Sequence, residues 1–288
     1  GGLFAYKSGD GIHWERLWDE AVITSEGKAF DSQNVSFWSA AEECYVCYFR
    51  SWFTPYGRFR TISRTTSSDY IHWTAPIPMN PNLPAEDLYV SGTHPYFRAP
   101  HIYVALPTRF IKDRGSSTDI LFMSTRAGST SYERLFTEAF IRPGLDRQRW
   151  GNRANYAAFG VVPTSPTEMS IYHGNSGHRY VLRIDGFTSI NAGREQGEFI
   201  TKPLIFTGEK LVANYSTSAA GSLQVEIQHP DGTPIPGFSL EDGRLNIGDE
   251  IDGAIGWTGN GRLGNLADQP VRLRFVMREC DLFSIQFR

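Results

Sequence analysis

The chain writes one phrase twice. "KSGDGIHWERL" begins at Lys7 and "TSSDYIHWTAP" at Thr66, and both carry Ser-x-Asp-x-Ile-His-Trp at an interval of fifty-nine residues. A third, weaker copy sets Tyr132-Glu133-Arg134-Leu135 at the same interval, echoing Trp14-Glu15-Arg16-Leu17. A fourth candidate puts Asp185-Gly186 in the place of Asp10-Gly11 and lacks the Trp. Self-similarity at a fixed period means that one supersecondary unit recurs and that neighbouring units share a core.

Between the markers the chain alternates in β style. "FDSQNVSFW", "CYVCYFRSW", "RFRTISRTT", "HIYVALPTRF" and "DILFMSTR" are short, aromatic or β-branched, and separated by Gly, Pro, Ser or Asp. A repeat of about 50 residues holding about four strands is the signature of a β-propeller blade. Each blade then needs the same Asp-Gly turn and the same His-Trp wedge against its neighbour, which gives His13 and His72 structural parts. Residues 18–73, 74–132 and 133–190 make three full periods, and 1–17 supply the end of another. Propellers have at least four blades, so the expectation is a ring of five-bladed type: either the missing blades lie upstream of Gly1, the favoured alternative, or later strands complete the ring. From 198 onward the marker disappears and clean period-2 alternation with a His-Pro-Asp-Gly turn at 229–232 reads as a β-sandwich. The expected division is 1–197 propeller and 198–288 sandwich, joined through 191–199.

Charge excludes some partners. With 28 basic and 31 acidic residues and no long run of either sign, nothing draws nucleic acid or an anionic membrane. No apolar run approaches the ~18 residues of a membrane span. The N-terminus has neither Met nor the apolar stretch of a signal peptide, so either a leader was removed or the chain begins partway through a gene. Cys44 and Cys47 have CxxC spacing, but three apart on a strand they face opposite sides. With Cys280 they read as buried free thiols.

Polar groups at the ends of a propeller's inner strands converge on one central pocket. Three acids qualify by position. Asp31 opens the first full blade in "AFDSQNVSFW" with Gln33 and Asn34 beside it; Asp119 heads the apolar strand "TDILFMSTR"; Glu168 leads into "MSIY". Asp31 and Asp119 would serve equally as turn residues capping their strands, and Glu168 as a solvated strand start. His94, Arg98 and Arg109 on the second blade and Asn155, Tyr156, His173 and Arg183 on the third are candidates for substrate contact, Arg98 and Arg109 also for ion pairs between blades. Trp38, Trp52, Phe53, Tyr56, Tyr96 and Trp150 could stack on sugar rings. Three carboxylates suit glycoside hydrolysis: one as base or nucleophile, one as acid, a third to hold the acid's pKa high.

Those same segments carry a resemblance. "FDSQNVSFWSAAEECYVCYFR", "SSDYIHW", "TDILFMSTR", "PTEMSIY" and the closing "RLRFVMRECDLFSIQF" resemble the five-bladed propeller glycoside hydrolases, the families 43 and 32 superfamily of arabinanases, β-xylosidases and fructan-cleaving invertases. They are closer still to uncharacterised bacterial proteins related to glycoside hydrolase family 32. The resemblance implies Asp31 as base or nucleophile, Asp119 as transition-state stabiliser and Glu168 as acid. It departs from the families in having no "NDPNG", no "RDP" at Asp119 and no "EC" at the Glu. The expectation is a secreted or periplasmic glycoside hydrolase acting on a polysaccharide or oligosaccharide, with no cofactor and at most a structural calcium. The rivals are a non-catalytic carbohydrate-binding propeller, a scaffold for protein partners, and an eliminating enzyme that uses Tyr, His and Arg.

Overall fold

A computed structural model of the chain describes residues 1–82, 86–259 and 261–288, the side chain of Phe53 excepted. Among these the protein is strand and loop, and its helical pieces are two 3-10 turns, Arg147–Trp150 and Leu263–Leu266. No described helix is long and apolar enough to cross a membrane. The chain divides into two compact units, one of Gly1–Val162 with Ser170–Val181, the other of Pro163–Met169 with Leu182–Arg288. Position 197 falls inside the second unit, because Ile190–Ala192 and Gly197–Ile200 both pair with the long strand Arg272–Phe287.

In the first unit, Val35–Ser39, Cys44–Thr54, Gly57–Ser67 and Ile77–Pro78 form a four-stranded antiparallel sheet whose neighbours follow chain order. The run "CYVCYF" is apolar because both of its faces are buried from Val46 onward. Val46 and Tyr48 enter one core with Val35, Ile62, Leu88 and Tyr103, while Cys47 and Phe49 enter another with Ile23. Cys44 packs on the first core and Cys47 sits in the second, so the CxxC pair divides between faces; all three cysteines are free thiols. Burial pushes the Cys47 thiol up to about 12.

The next stretch is a ribbon shared by two sheets. Asp87–Leu88, Thr108–Ile111 and Ser117–Ile120 form one, and His94–Tyr96, Ala99–Ala105 and Met123–Arg126 form the other. Leu106-Pro107 and Leu121-Phe122 interrupt the pairing between them, and Pro107, with no N–H to give the ladder, suits such a break.

The repeated phrase builds the same turn twice, and its Asp is the hub. Asp10 Oδ1 accepts the N–H groups of Ile12 and His13 at 2.8 Å, and Asp69 Oδ1 accepts those of Ile71 and His72 at 2.9 and 2.7 Å. The other carboxylate oxygen meets the His Nδ1 at 2.6 Å in both copies. Trp14 and Trp73 each donate an indole N–H back to the residue after the Asp. That residue lies in the left-handed region, at φ 75° for Gly11 and 67° for Tyr70, so the second copy carries strain that glycine avoids in the first. Trp73 packs against the Ile23, Cys47 and Phe49 core, whereas Trp14 is largely exposed.

In the second unit, Leu211–Gln228 and Arg272–Phe287 pair along most of their length, and with Asp249–Ile255, Ile190–Ala192 and Gly197–Ile200 they make one five-stranded sheet. A register shift between Thr217 and Ser222 bends the long pair. A Cβ on Gly221 would lie 2.4 Å from the Glu279 carbonyl oxygen, so the bend requires glycine. Alternate residues Leu223, Val225 and Ile227 face Leu273, Phe275 and Met277 in a single core, where each such side chain contributes about 1.5–3 kcal/mol relative to exposure.

Candidate functional site

Asp31 stands on a strained turn. Its neighbours Phe30 and Ser32 have φ of 66° and 80°, a left-handed conformation that costs a non-glycine residue roughly 1 kcal/mol or more and is concentrated at functional sites. Asn34 steadies the turn by donating from Nδ2 to the carbonyl oxygens of Phe30 and Ser32. The strand begins only at Val35, so the turn, and no strand face, sets where Asp31 and the exposed Gln33 point. The Asp31 side chain is 68% exposed, yet it pairs at 3.3 Å with Arg50, whose side chain is 3% exposed.

Arg50 opens onto a wall of rings and guanidinium groups. Around the Tyr89 ring centroid the Cζ atoms of Arg60, Arg153 and Arg50 stand at 4.7, 5.6 and 5.9 Å. Arg60 and Arg153 also lie over Phe110, at 4.8 and 5.5 Å, and Arg60 and Arg50 over Trp52, at 4.6 and 5.7 Å. Tyr156 closes one side against Tyr89, with ring centroids 6.2 Å apart. Asp87 accepts from both the backbone N–H and Nη1 of Arg60. Strand residues Arg50, Trp52, Arg60, Asp87 and Phe110 and loop residues Tyr89, Arg153 and Tyr156 supply these groups, and a register shift between Ser51 and Phe53 sets Trp52 at a bulge, the device that re-aims a side chain beside a site. Burial lowers the Arg50 pKa, and the attraction of Asp31 only partly offsets it.

Asp119 belongs to a different network. Arg109 grips it with Nε to Oδ1 at 3.0 Å and Nη2 to Oδ2 at 2.7 Å, and reaches Glu86 with Nη1; Arg134 completes the group at Glu86. Burial opposes the Arg109 charge, but the hydrogen bonds and charges of Asp119 and Glu86 outweigh it, and its pKa is raised. Arg109 pairs with Asp119, and Phe110 with Thr118 and Asp87. Successive strand residues face opposite sides, so Asp119 lies on one face of the Thr108–Ile111 sheet and Asp87 and Phe110 on the other. Asp31, through Arg50 and Tyr89, belongs to the Phe110 side.

The other candidates are engaged with their surroundings. His94 is buried, its Nδ1 2.7 Å from the Gly92 carbonyl oxygen and its Nε2 accepting the Val161 N–H, an arrangement that uses both ring nitrogens of the neutral imidazole. Asn155 is fully buried and joins Thr118, Arg149 and Thr108 through side chain and backbone. His173 is buried and accepts from Ser176 at Nδ1; burial, with Arg149 and His178 nearby, lowers its pKa. Arg98 occupies the turn before Ala99–Ala105, and Arg183 in the second unit holds Asn214 and Asp249. Glu168 is half-buried at the start of Glu168–Tyr172, in the second unit, where a tight turn from Ser165 closes on its backbone. Of the aromatics, Trp52 joins the wall, Trp38, Tyr56 and Trp150 are exposed and Tyr96 is buried, while the Phe53 side chain lies outside the described residues. No group of three His, Cys, Asp or Glu among the described residues could hold a metal ion.

Sequence reasoning passed over Arg50, Arg60, Asp87, Tyr89, Phe110 and Arg153. The available signal was the alternation of cation and ring in "YFRSWFTPYGRFR", where Arg at an inward strand position is as rare as an unpaired carboxylate.

No protein-family model matches the chain, and no curated protein matches it. Solved structures do resemble it at low identity. An arabinoxylan arabinofuranohydrolase of glycoside hydrolase family 43 from Bacillus subtilis, in complex with cellotetraose, is 14% identical with a TM-score of 0.41, over 100% of this chain and 74% of that one. An N-acetylgalactosamine deacetylase from F. plautii, in complex with blood group B trisaccharide, is 11% identical with a TM-score of 0.42, over 96% of this chain and 60% of that one. A fructofuranosidase from Schwanniomyces occidentalis complexed with fructosylnystose is 10% identical with a TM-score of 0.31, over 92% and 96%. What these proteins bind stays with them at such scores.

Proposed function

We propose that the chain is a carbohydrate-active protein, a glycoside hydrolase whose first unit is built of propeller blades and whose reacting carboxylate is Asp31. The observation that carries this reading is the exposed Asp31 on its left-handed turn, anchored by a buried Arg50 beside the Trp52 and Tyr89 rings. Aromatic faces with a few placed polar groups are what a sugar pocket needs. A carboxylate beside a guanidinium suits the anionic part of the chemistry, taking a proton from water or attacking the anomeric carbon. The resemblance gives the proton donor's part to Glu168, whereas Asp119, gripped by Arg109 on the opposite face of its sheet from Asp31, takes no part in this reading.

The test is sugar release from arabinan, xylan and fructan oligosaccharides. Asp31→Asn is expected to lower kcat by about 10²-fold or more, with glycan binding retained. Unchanged turnover in Asp31→Asn ends the reading, and Glu168→Gln tests the donor by itself.

One observation favours a non-catalytic carbohydrate binder as the second reading. Asp31, Asp87 and Asp119 each pair with a guanidinium, which suits none of them to donate a proton. That protein would show glycan affinity, unaltered by Asp31→Asn and weakened by Trp52→Ala, and no sugar release.

A further inference from the structure

The wall around Tyr89 holds more positive charge than it neutralises. Arg50, Arg60 and Arg153 all lie within 6 Å of that ring centroid, and the acids that pair with them are Asp31 with Arg50 and Asp87 with Arg60. Arg153 is exposed, and its guanidinium is stacked on the Tyr89 and Phe110 rings. Its backbone sits at φ 53°, with its N–H donated to the Ser116 carbonyl oxygen, so a left-handed residue places that charge over the rings. Arg50 Nε, Arg60 Nε and Trp52 Nε1 of the same wall are buried and have no acceptor among the described residues. The surplus cation at the exposed Arg153, with the half-buried Trp52 ring beside Arg60 and Arg50 on the same wall, describes a site for a ring-shaped ligand that carries an anion.

We infer that the Arg50, Arg60 and Arg153 wall recognises an acidic sugar, a glycan residue bearing a carboxylate such as a uronic acid. This rests on the carbohydrate reading above and narrows its substrate class. The Arg153 guanidinium presents a planar fork to the carboxylate, which accepts two parallel hydrogen bonds, and the half-buried Trp52 ring takes the apolar face of the sugar. Asp31 and Asp87 hold Arg50 and Arg60 in place and repel a second anion, which limits the site to one acidic group.

The experiment is calorimetric titration of the full chain at low salt with a panel of uronic acid oligosaccharides, their methyl esters, neutral arabinan, xylan and fructan oligosaccharides, and inorganic sulfate. The free acids are expected to bind at least tenfold more tightly than their esters. Arg153→Met should abolish that preference while leaving the thermal unfolding transition in place, and Arg153→Lys should keep part of it. Equal affinity for acid and ester, or a preference that survives in Arg153→Met, overturns the inference. Binding of the neutral glycans with no acid preference overturns it and leaves the carbohydrate reading standing, whereas binding of no glycan ends both. Sulfate bound as tightly as the acidic oligosaccharides, with the same dependence on Arg153, marks a simple anion site and overturns the sugar's part.

Discussion

On one face of the Asp87–Leu88, Thr108–Ile111 and Ser117–Ile120 sheet, Arg109 and Arg134 meet Asp119 and Glu86, two cations for two anions. On the other, Arg50, Arg60 and Arg153 crowd one ring with Asp31 and Asp87 as their paired acids. Both faces use guanidinium and carboxylate, so residue type does not separate them. Balance does: the Arg109 pKa is raised because its partners outweigh burial, and the Arg50 pKa is lowered because burial outweighs Asp31. Arg134 also leaves Nε and Nη2 without acceptors among the described residues, so a buried orphan N–H alone does not mark a site. Surplus charge beside an exposed Asp31 and Arg153 is what differs. A balanced network braces a sheet, whereas an unbalanced one is ready for a ligand.

The largest effect expected from this contrast is on stability. Asp119→Ala leaves the mostly buried Arg109 guanidinium without its bidentate partner and should cost about 3 kcal/mol, read as a lower midpoint in urea unfolding at unchanged slope. A loss under about 1 kcal/mol would erase the distinction between the faces.

A smaller change is expected from acid. The His13 and His72 side chains, then the N–H groups around each turn, hold the Asp10 and Asp69 carboxyls well below the usual range. A carboxyl whose folded pKa lies below its unfolded value of about 3.9 stabilises the fold above that pH and loses its contribution as pH falls toward the folded pKa. Thermal unfolding followed from pH 6 downward should therefore drop more steeply below about pH 4 in the parent than in Asp69→Asn. Parallel curves would remove Asp69 from the account.

The smallest effect belongs to the other face. Asp31→Ala removes a largely exposed acid from its pair with the buried Arg50, whose Nη2 still donates to the Lys28 carbonyl oxygen, and folding stability should fall by about 1 kcal/mol, less than in Asp119→Ala. A loss as large as that from Asp119→Ala would recast Asp31 as a brace for the turn and sharpen the case against it as the reacting group.

The marker turns were legible because their hydrogen bonds close within three residues, from Ser8 or Ser67 to the His. The third and fourth copies show where that legibility stops. Tyr132 keeps its buried place and donates to or accepts from Thr93, but without the Asp it forms no such hub. Asp185 at φ 60° engages Asn214 and Ser284 instead, partners distant in the chain. The same limit applies to the site. Asp31 stood out through its local polar cluster, while Asp87, Arg60 and Arg153 are ordinary charged residues until the fold gathers them around Tyr89.

What the amino-acid order determined by itself was the β character, the period, the Asp-centred turns and the division of Cys44 and Cys47 between strand faces. All of these follow from interactions over a few residues and from the two-residue repeat of a strand. Which carboxylate meets which guanidinium was decided only in the tertiary structure. A side chain changes face with every step along a strand, and the register that sets Arg109 against Asp119 and Phe110 against Asp87 comes from pairing across segments far apart in the chain.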